Sequence, residues 1–417
     1  MTASAHDVQG VDLFDHRQSQ AMHELVRGWR AKTPIVRLAP NLLYLARWHD
    51  CWEVLRDPIT FGNANGFKVV DIPEEERMLG EMDPPRHPAL RRVMRTGFTR
   101  SFVADQVGYA RARATQLVDE IAAKPSAELV ADFCDRLPND VSLHMLGVPE
   151  SDSQQLIDWA KELLHSDWPA HHRSERGYGV HGGFPEFSAY LDALVEARRR
   201  PDVPDDVLAR LVRCSLDGKP LSQTVLRTLA VQLIVGGFST GTNMVGSLVY
   251  RILRDPELHT RIRNDLSLVP AAVEETLRLD PPVLFILRNV MRDTELRGIP
   301  LAKGERLALG ILSANRDEAV FDDPDAFRLD RGAPQHLAFS GGAHLCIGAS
   351  TARLVGCEAL RAFVTRFDVG EIELAPDFEY HGVPVFLEYG PERLDVRRAI
   401  AAHASTVITP TGSRARH

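Results

Sequence analysis

The chain reads as a mainly α (α+β) protein, one large helical domain with a small β-rich part. Three observations predict this. Apolar residues recur at helical spacing over most of the 417 residues; strand-like pieces are few and short; and no Gly/Ser run, proline-rich spacer, charge block or internal repeat divides the chain. Residues 1–417 are therefore expected to form a single domain, with a core over about 16–398 and tails at 1–15 and 399–417.

Taken in order, periodicity predicts helices at His16–Ala31, Asp50–Arg56, just after Pro88, and at Phe102–Ala123. Others are expected at Ser151–Leu164, Phe184–Arg199, Pro204–Cys214, Val269–Leu279 and Cys346–Phe367. Ser222 is a good N-cap for the longest, which runs to Arg254 just before Asp255–Pro256. PIVRLAPNLLYLA (34–46) reads as a hairpin around Pro40–Asn41, and Leu284–Val290, Arg306–Leu312 and the segment around Val383–Val396 are β-like. Segments 61–82 and 167–182 lack periodicity, and loops of such length are usually functional or mobile.

Composition narrows the function. With 44% hydrophobic and 25% charged residues the chain is of ordinary soluble type, and a net charge of −8 argues against nucleic acid as the main partner. The N-terminal residues show neither a signal-peptide core nor a membrane anchor, and the run LAVQLIVGGF is short and interrupted by Gln232. The cysteines at 51, 134, 214, 346 and 357 lack CxxC spacing, which speaks against a zinc cage, an iron–sulfur cluster or a disulfide framework. A reducing, cytoplasmic compartment is expected.

Two stretches depart from plain packing. LIVGGFSTGTN (233–243) puts Gly236, Gly237 and Gly241 inside the longest helix, a penalty of roughly 3 kcal/mol relative to alanine. Close helix packing would explain it, and so would a bulky group against the helix backbone. Thr240 can bond back to the carbonyl four residues earlier or face a cavity. HLAFSGGAHLCIG (336–348) sets Cys346 among glycines and apolar residues, where a lone thiol is either a small core hydrophobe or a ligand.

Three further pieces lie along the chain: EMDPPRHPALRR (81–92), with His87 and Arg91 on one helix face; AAVEETLRLDPP (271–282), with Glu275 and Arg278; and ANRDEAVFDDPDAFRLDR (314–331), which leads to the cysteine stretch. Each alone would be a solvated face or a surface ion pair. In this order they resemble the cytochromes P-450, haem-thiolate monooxygenases, of the soluble bacterial type. Phe339, Gly342, Cys346 and Gly348 match that family's F-x-x-G-x-x-x-C-x-G signature, and Glu275 and Arg278 its E-x-x-R.

The resemblance implies heme b (iron protoporphyrin IX) buried between the long distal helix and the cysteine-loop helix, with Cys346 as the axial thiolate ligand of iron. Phe339 would exclude water beside the sulfur, and Gly342 and Gly348 would let the backbone approach the porphyrin. His87, Arg91, Arg288, His336 and His344 would hold the haem carboxylates, and Glu275, Arg278 and Arg331 would form a structural triad behind the cysteine loop. The substrate pocket would involve Gly236, Gly237, Phe238, Val283, Leu284, Phe285, Ile286, Leu387 and Tyr389, with the loop Phe61–Met82; its apolar character implies an apolar small-molecule substrate.

The oxygen-activation site departs from the family. Where a carboxylic acid usually precedes the threonine, Ser239 precedes Thr240. Catalysis through Thr240 and Ser239 would then need waters ordered by these hydroxyls, a polar group of the substrate, or another haem reaction class: peroxygenase, oxidative coupling or a nitric-oxide-reductase-like activity. A haem or small-molecule binder without activity is a further alternative. The implied function is insertion of one atom of O2 into a C–H or C=C bond. No flavin or nicotinamide segment is apparent, so electrons would come from a ferredoxin and its reductase. Arg92, Arg95 and Arg100, with Arg353 and Arg361, would form the basic docking patch.

Overall fold

The computed structural model describes residues 6–63, 73–165 and 183–399. The predicted segment 167–182, the middle of the 61–82 loop and the tail beyond 399 lie outside the described residues.

Local chemistry sets most helix ends. Fifteen α-helices occur among the described residues. The first eight are α1 His16–Gln20, α2 His23–Lys32, α3 Trp48–Arg56, α4 Arg86–Met94, α5 Arg100–Asp105, α6 Val107–Ala122, α7 Arg136–Leu146 and α8 Ser153–His165. The others are α9 Pro185–Ala197, α10 Val207–Val212, α11 Gln223–Arg254, α12 Pro256–Asn264, α13 Val269–Leu279, α14 Ile311–Ala314 and α15 Ala349–Arg366.

The Ser222 side chain accepts from the Val225 N–H at 3.2 Å and starts α11, which has 32 residues. Asp255 ends it and caps α12, accepting from Leu258 N–H at 2.9 Å. The expected helix His16–Ala31 is broken at Ala21–Met22, where the Ala21 N–H is shared between the Arg17 and Gln18 carbonyls. Phe102–Ala123 is likewise two helices, α5 and α6, meeting at Gln106. Helix α7 is not among the helices that periodicity predicts, and it contains Pro138. The proline sits in the first turn, where an amide N–H has no helical acceptor to lose.

Thirteen short strands are present among the described residues. Six form one sheet in the order β1 (His6–Asp7), β2 (Ile35–Ala39), β3 (Leu42–Leu45), β11 (Arg306–Leu309), β8 (Ile286–Val290) and β4 (Phe61–Gly62). The hairpin at 34–46 is β2–β3, with Val36 opposite Tyr44. Its sheet is buried on both faces. Leu43, Leu45, Leu307 and Leu309 point into one cluster, and Tyr44, Leu287 and Ala308 into another, as the two-residue period requires. Near the C-terminus the expected strand shrinks to β13 (Asp395–Arg398), while 382–391 is a hairpin held by isolated bridges.

A third, larger apolar cluster joins the helices, and within it α15 packs against α6, α11 and α13. Helix α11 therefore runs through the helical core with α15 beside it, and the cysteine stretch leads into α15 from the sheet side.

Candidate active site

A cavity of about 440 Å³ opens between α11, the cysteine stretch, α4 and the segment after α13. Its walls are mostly apolar, including Leu79, Leu233, Met244, Val283, Ile286 and Val355. Cys346 opens onto it. The Cys346 N–H donates to the Phe339 carbonyl at 2.9 Å, which closes the loop. Desolvation pushes the thiol up; the Gly348 and Ala349 N–H groups, with Arg91 and Arg353, oppose that and favour the thiolate. Helix α15 begins at Ala349, three residues later than expected, so the sulfur lies just ahead of its N-terminus.

The glycines divide by role. Gly342 has φ +61°, and a Cβ there would stand 2.0 Å from the Leu55 carbonyl oxygen. Contact with α3, not approach to a cofactor, dictates this glycine, and it does not line the cavity. Gly348 does line it, and a Cβ there would lie 3.9 Å from the cysteine sulfur. On α11 a Cβ at Gly236 would meet open space, whereas one at Gly241 would stand 2.7 Å from Pro138. Close packing therefore explains Gly241, whereas Gly236 leaves open space beside the helix on the cavity wall.

One wall gathers two histidines and two arginines. The rings of His87 and His344 stack with centroids 3.8 Å apart, and both His87 nitrogens and His344 Nε2 are buried without a hydrogen-bond partner. Burial, then the neighbouring Arg91, pushes His87 down to about 4; burial, then His87 and Arg288, pushes His344 down to about 3. Arg288, 6% exposed, is pushed down to about 10 by desolvation. Arg91 donates to the Leu345 carbonyl beside the cysteine. Buried ring nitrogens without partners are costly, and an anionic occupant would relieve the two histidines while facing Arg91 and Arg288, whose guanidinium groups also hold the Leu345 and Leu287 carbonyls.

His336, expected in this group, is elsewhere. Its Nε2 lies 3.1 Å from Glu274, which also binds Arg353 bidentately, and it does not reach the cavity. Burial raises the Glu274 carboxyl, but hydrogen bonds from His336 and Arg353 outweigh this and hold it at about 2. Phe339 lines the cavity beside the sulfur, with the Arg353 guanidinium 4.6 Å above its ring.

The structural triad assembles as expected. Arg278, fully buried, donates to Glu275 at 2.8 and 2.7 Å, and Arg331 Nε reaches the same carboxylate at 2.8 Å. Arg278 also holds the carbonyls of Asn315, Pro324 and Ala326, so the triad pins the approach to the cysteine stretch.

The oxygen-activation pair splits. Thr240 lines the cavity, and its hydroxyl donates to the Gly236 carbonyl at 3.1 Å. Ser239 is not on the wall; its hydroxyl donates to Glu388 at 2.6 Å. Gly237, Val283 and Ile286 line the cavity with Gly236, but Phe238, Leu284, Phe285, Leu387 and Tyr389 do not. Phe238 is buried in the helical core. The Leu284 backbone is bonded on both sides, to Leu387 and Leu312, and this sends Leu284, Phe285, Leu387 and Tyr389 into the cluster on the sheet's other face. Sequence reasoning missed Gln232, Met244 and Ile311 on the wall and Glu388 behind it. The helical repeat from Gly236 could have found Gln232; nothing local marks Glu388.

Comparison with known proteins decides the family. The Cytochrome P450 family model matches residues 181–377. Cyclomarin C epoxidase of Salinispora arenicola is 31% identical over 392 residues, 92% of this chain and 96% of its own length. The chain belongs to the cytochrome P450 family. A steroid C26-monooxygenase of Mycobacterium tuberculosis is 31% identical over 84% of this chain and 86% of its own length. The structure of a cytochrome P450 from Chondromyces apiculatus superposes with a TM-score of 0.82 at 28% identity, covering 95% of this chain and 99% of the other. The chain is thus a P450 monooxygenase, an oxidoreductase, and its cofactor is heme b. The Arg91 and Arg288 cations and the unpartnered ring nitrogens of His87 and His344 on the cavity wall fit that cofactor's two carboxylates. No helix among the described residues is long and apolar enough to cross a membrane.

Proposed function

We propose that this P450 inserts one oxygen atom from O2 into an apolar small molecule, with electrons from a ferredoxin-type donor and Cys346 as the thiolate ligand of the haem. The observation that carries this is a single thiol together with two arginines and two stacked histidines on the walls of one mostly apolar cavity. When bound, the haem supplies the redox-active iron at which dioxygen is activated, and thiolate ligation favours O–O cleavage. His87, His344, Arg91 and Arg288 hold its carboxylates. The N–H groups of Gly348 and Ala349 carry part of the sulfur's negative charge, and Phe339 keeps water from it. Leu79, Leu233, Val283 and Ile286 orient the substrate by shape, with few polar anchors. The Thr240 hydroxyl holds a proton donor at the cavity wall.

The relatives are named a cyclomarin C epoxidase and a steroid C26-monooxygenase, and oxygen insertion into an organic small molecule is the same class of reaction. For the electron donor, Arg92, Arg95 and Arg100 are exposed, and Leu345, 46% exposed, lies next to the cysteine. Arg353 and Arg361 contribute less, since both face acids of their own chain. We take residues 1–417 to form one P450 domain, and the five free cysteines to suit a reducing, cytoplasmic compartment.

The test is a screen of apolar compounds for a low- to high-spin change in the ferric protein, followed by turnover with a ferredoxin–reductase pair. Spin-shifting compounds that are oxidised support the proposal. Compounds that bind without product under any electron supply would contradict it.

A further inference from the structure

We propose that Glu388 is the proton-relay carboxylate of this P450, brought by the C-terminal hairpin to the position where Ser239 replaces the family's acid. Glu388 is 9% exposed, and two side chains of α11 hold its oxygens: Ser239 donates at 2.6 Å and Asn243 at 2.9 Å. The contact is built on both sides. A Cβ on Gly390 would stand 2.8 Å from Asn243, and one on Gly246 would stand 2.9 Å from Pro391, so glycines on hairpin and helix permit the approach.

The hairpin is fixed in turn to the segment after α13. Glu388 bridges Val283, and the neighbouring backbone bonds join Leu284 to Leu387 and Tyr389 to Pro282. Val283 and Thr240 line the cavity. The carboxylate therefore sits one residue behind the wall on two elements at once, bonded to the residue preceding Thr240. A lone serine would need loose water to pass protons; this serine is committed to a carboxylate.

In the relay, Glu388 first takes up a proton from solvent, which reverses its resting bond to Ser239; Ser239 Oγ then accepts that proton while its own hydroxyl proton leaves toward Thr240 and the cavity. The carboxylate left behind is reprotonated from solvent through its remaining exposure, and no oxidation state changes. Glu388 acts through Ser239 and positions it; it does not touch substrate.

The inference rests on the monooxygenase reading, and its test separates the two. The haem-loaded full chain is compared as wild type, Glu388→Gln and Ser239→Ala, with ethoxycoumarin as the apolar probe. O-dealkylation is driven either by a ferredoxin–reductase pair or by hydrogen peroxide, which brings its own protons. Infrared spectra of the resting protein follow the Glu388 carboxyl bands. Glu388→Gln should lower electron-driven turnover by about 10²-fold, the scale of a lost proton donor, and leave peroxide-driven turnover within about twofold. The solvent deuterium isotope effect on electron-driven turnover should rise in both variants, and Ser239→Ala should shift the bands that Glu388→Gln removes. Unchanged electron-driven turnover in Glu388→Gln, or an equal fall under both oxidants, would overturn the relay. Absence of product in the wild type under both oxidants would overturn the monooxygenase reading instead.

Discussion

Replacing Glu275 by glutamine removes one charge from a buried Glu275–Arg278 pair with Arg331 at its edge, and little else. Arg278 is 0% exposed and Glu275 is 1% exposed, so water cannot compensate. The glutamine keeps the shape and one acceptor, but its NH2 group turns toward a guanidinium, and the charges of Arg278 and Arg331 lose their shared counter-ion. Removing one member of a buried pair costs about 3–5 kcal/mol, a large share of a typical total stability of about 5–15 kcal/mol. An unfolding entropy of about 2.1 cal/mol/K per residue makes each kcal/mol worth roughly 1 °C in a chain of this length. Glu275→Gln should therefore lower the Tm by roughly 3–5 °C in a far-ultraviolet circular dichroism melt of the haem-loaded protein. Glu24→Gln, at an exposed pair with Arg27, should change it by less than about 1 °C. A Glu275→Gln melt within about 1 °C of wild type would refute the view that this network locks the cysteine approach.

Further outcomes follow from the same geometry. Glu274, held at about 2, contributes stability that is present above its unfolded value near 4.5 and lost as pH falls toward 2; in Glu274→Gln the decline of Tm below about pH 5 should be shallower than in wild type. Gly241→Ala should destabilise by about 1–3 kcal/mol through Pro138, whereas Gly236→Ala should fold normally and alter only ligand binding, checked by melts and spin-state titration. Arg288→Met should leave a folded chain that releases haem faster to apomyoglobin, because a carboxylate loses its buried cation. Ser239→Asp should not improve coupling, since it sets a second carboxylate against Glu388; peroxide release per electron pair measures this.

Much of the fold was legible because its signals are local. Ser222 and Asp255 mark the ends of α11 by their capping side chains, and Val269–Leu279 has the boundaries its periodicity predicts. Motif residues within a few positions of one another, such as Glu275 with Arg278, were placed correctly for the same reason. What local pattern does not encode is facing. Phe238, Leu284 and Phe285 are apolar like true wall residues; helix packing buries Phe238 in the helical core, and the pairing of 282–284 with 387–389 turns Leu284 and Phe285 away. His336 was assigned to the wall of His87 and His344 because its preferred acid, Glu274, lies 62 positions away. Ser239 looked like a missing acid because Glu388 is 149 positions distant.

The most direct measurement is the absorbance of the purified protein after reduction and carbon monoxide addition, for wild type and Cys346→Ser. The wild type should give the red-displaced Soret band of a thiolate-ligated haem, and the variant should lose it while retaining the fold by circular dichroism. A haem-loaded wild type whose carbonyl adduct lacks that band, or a variant that keeps it, would mean that the sulfur at 346 is not the iron's ligand.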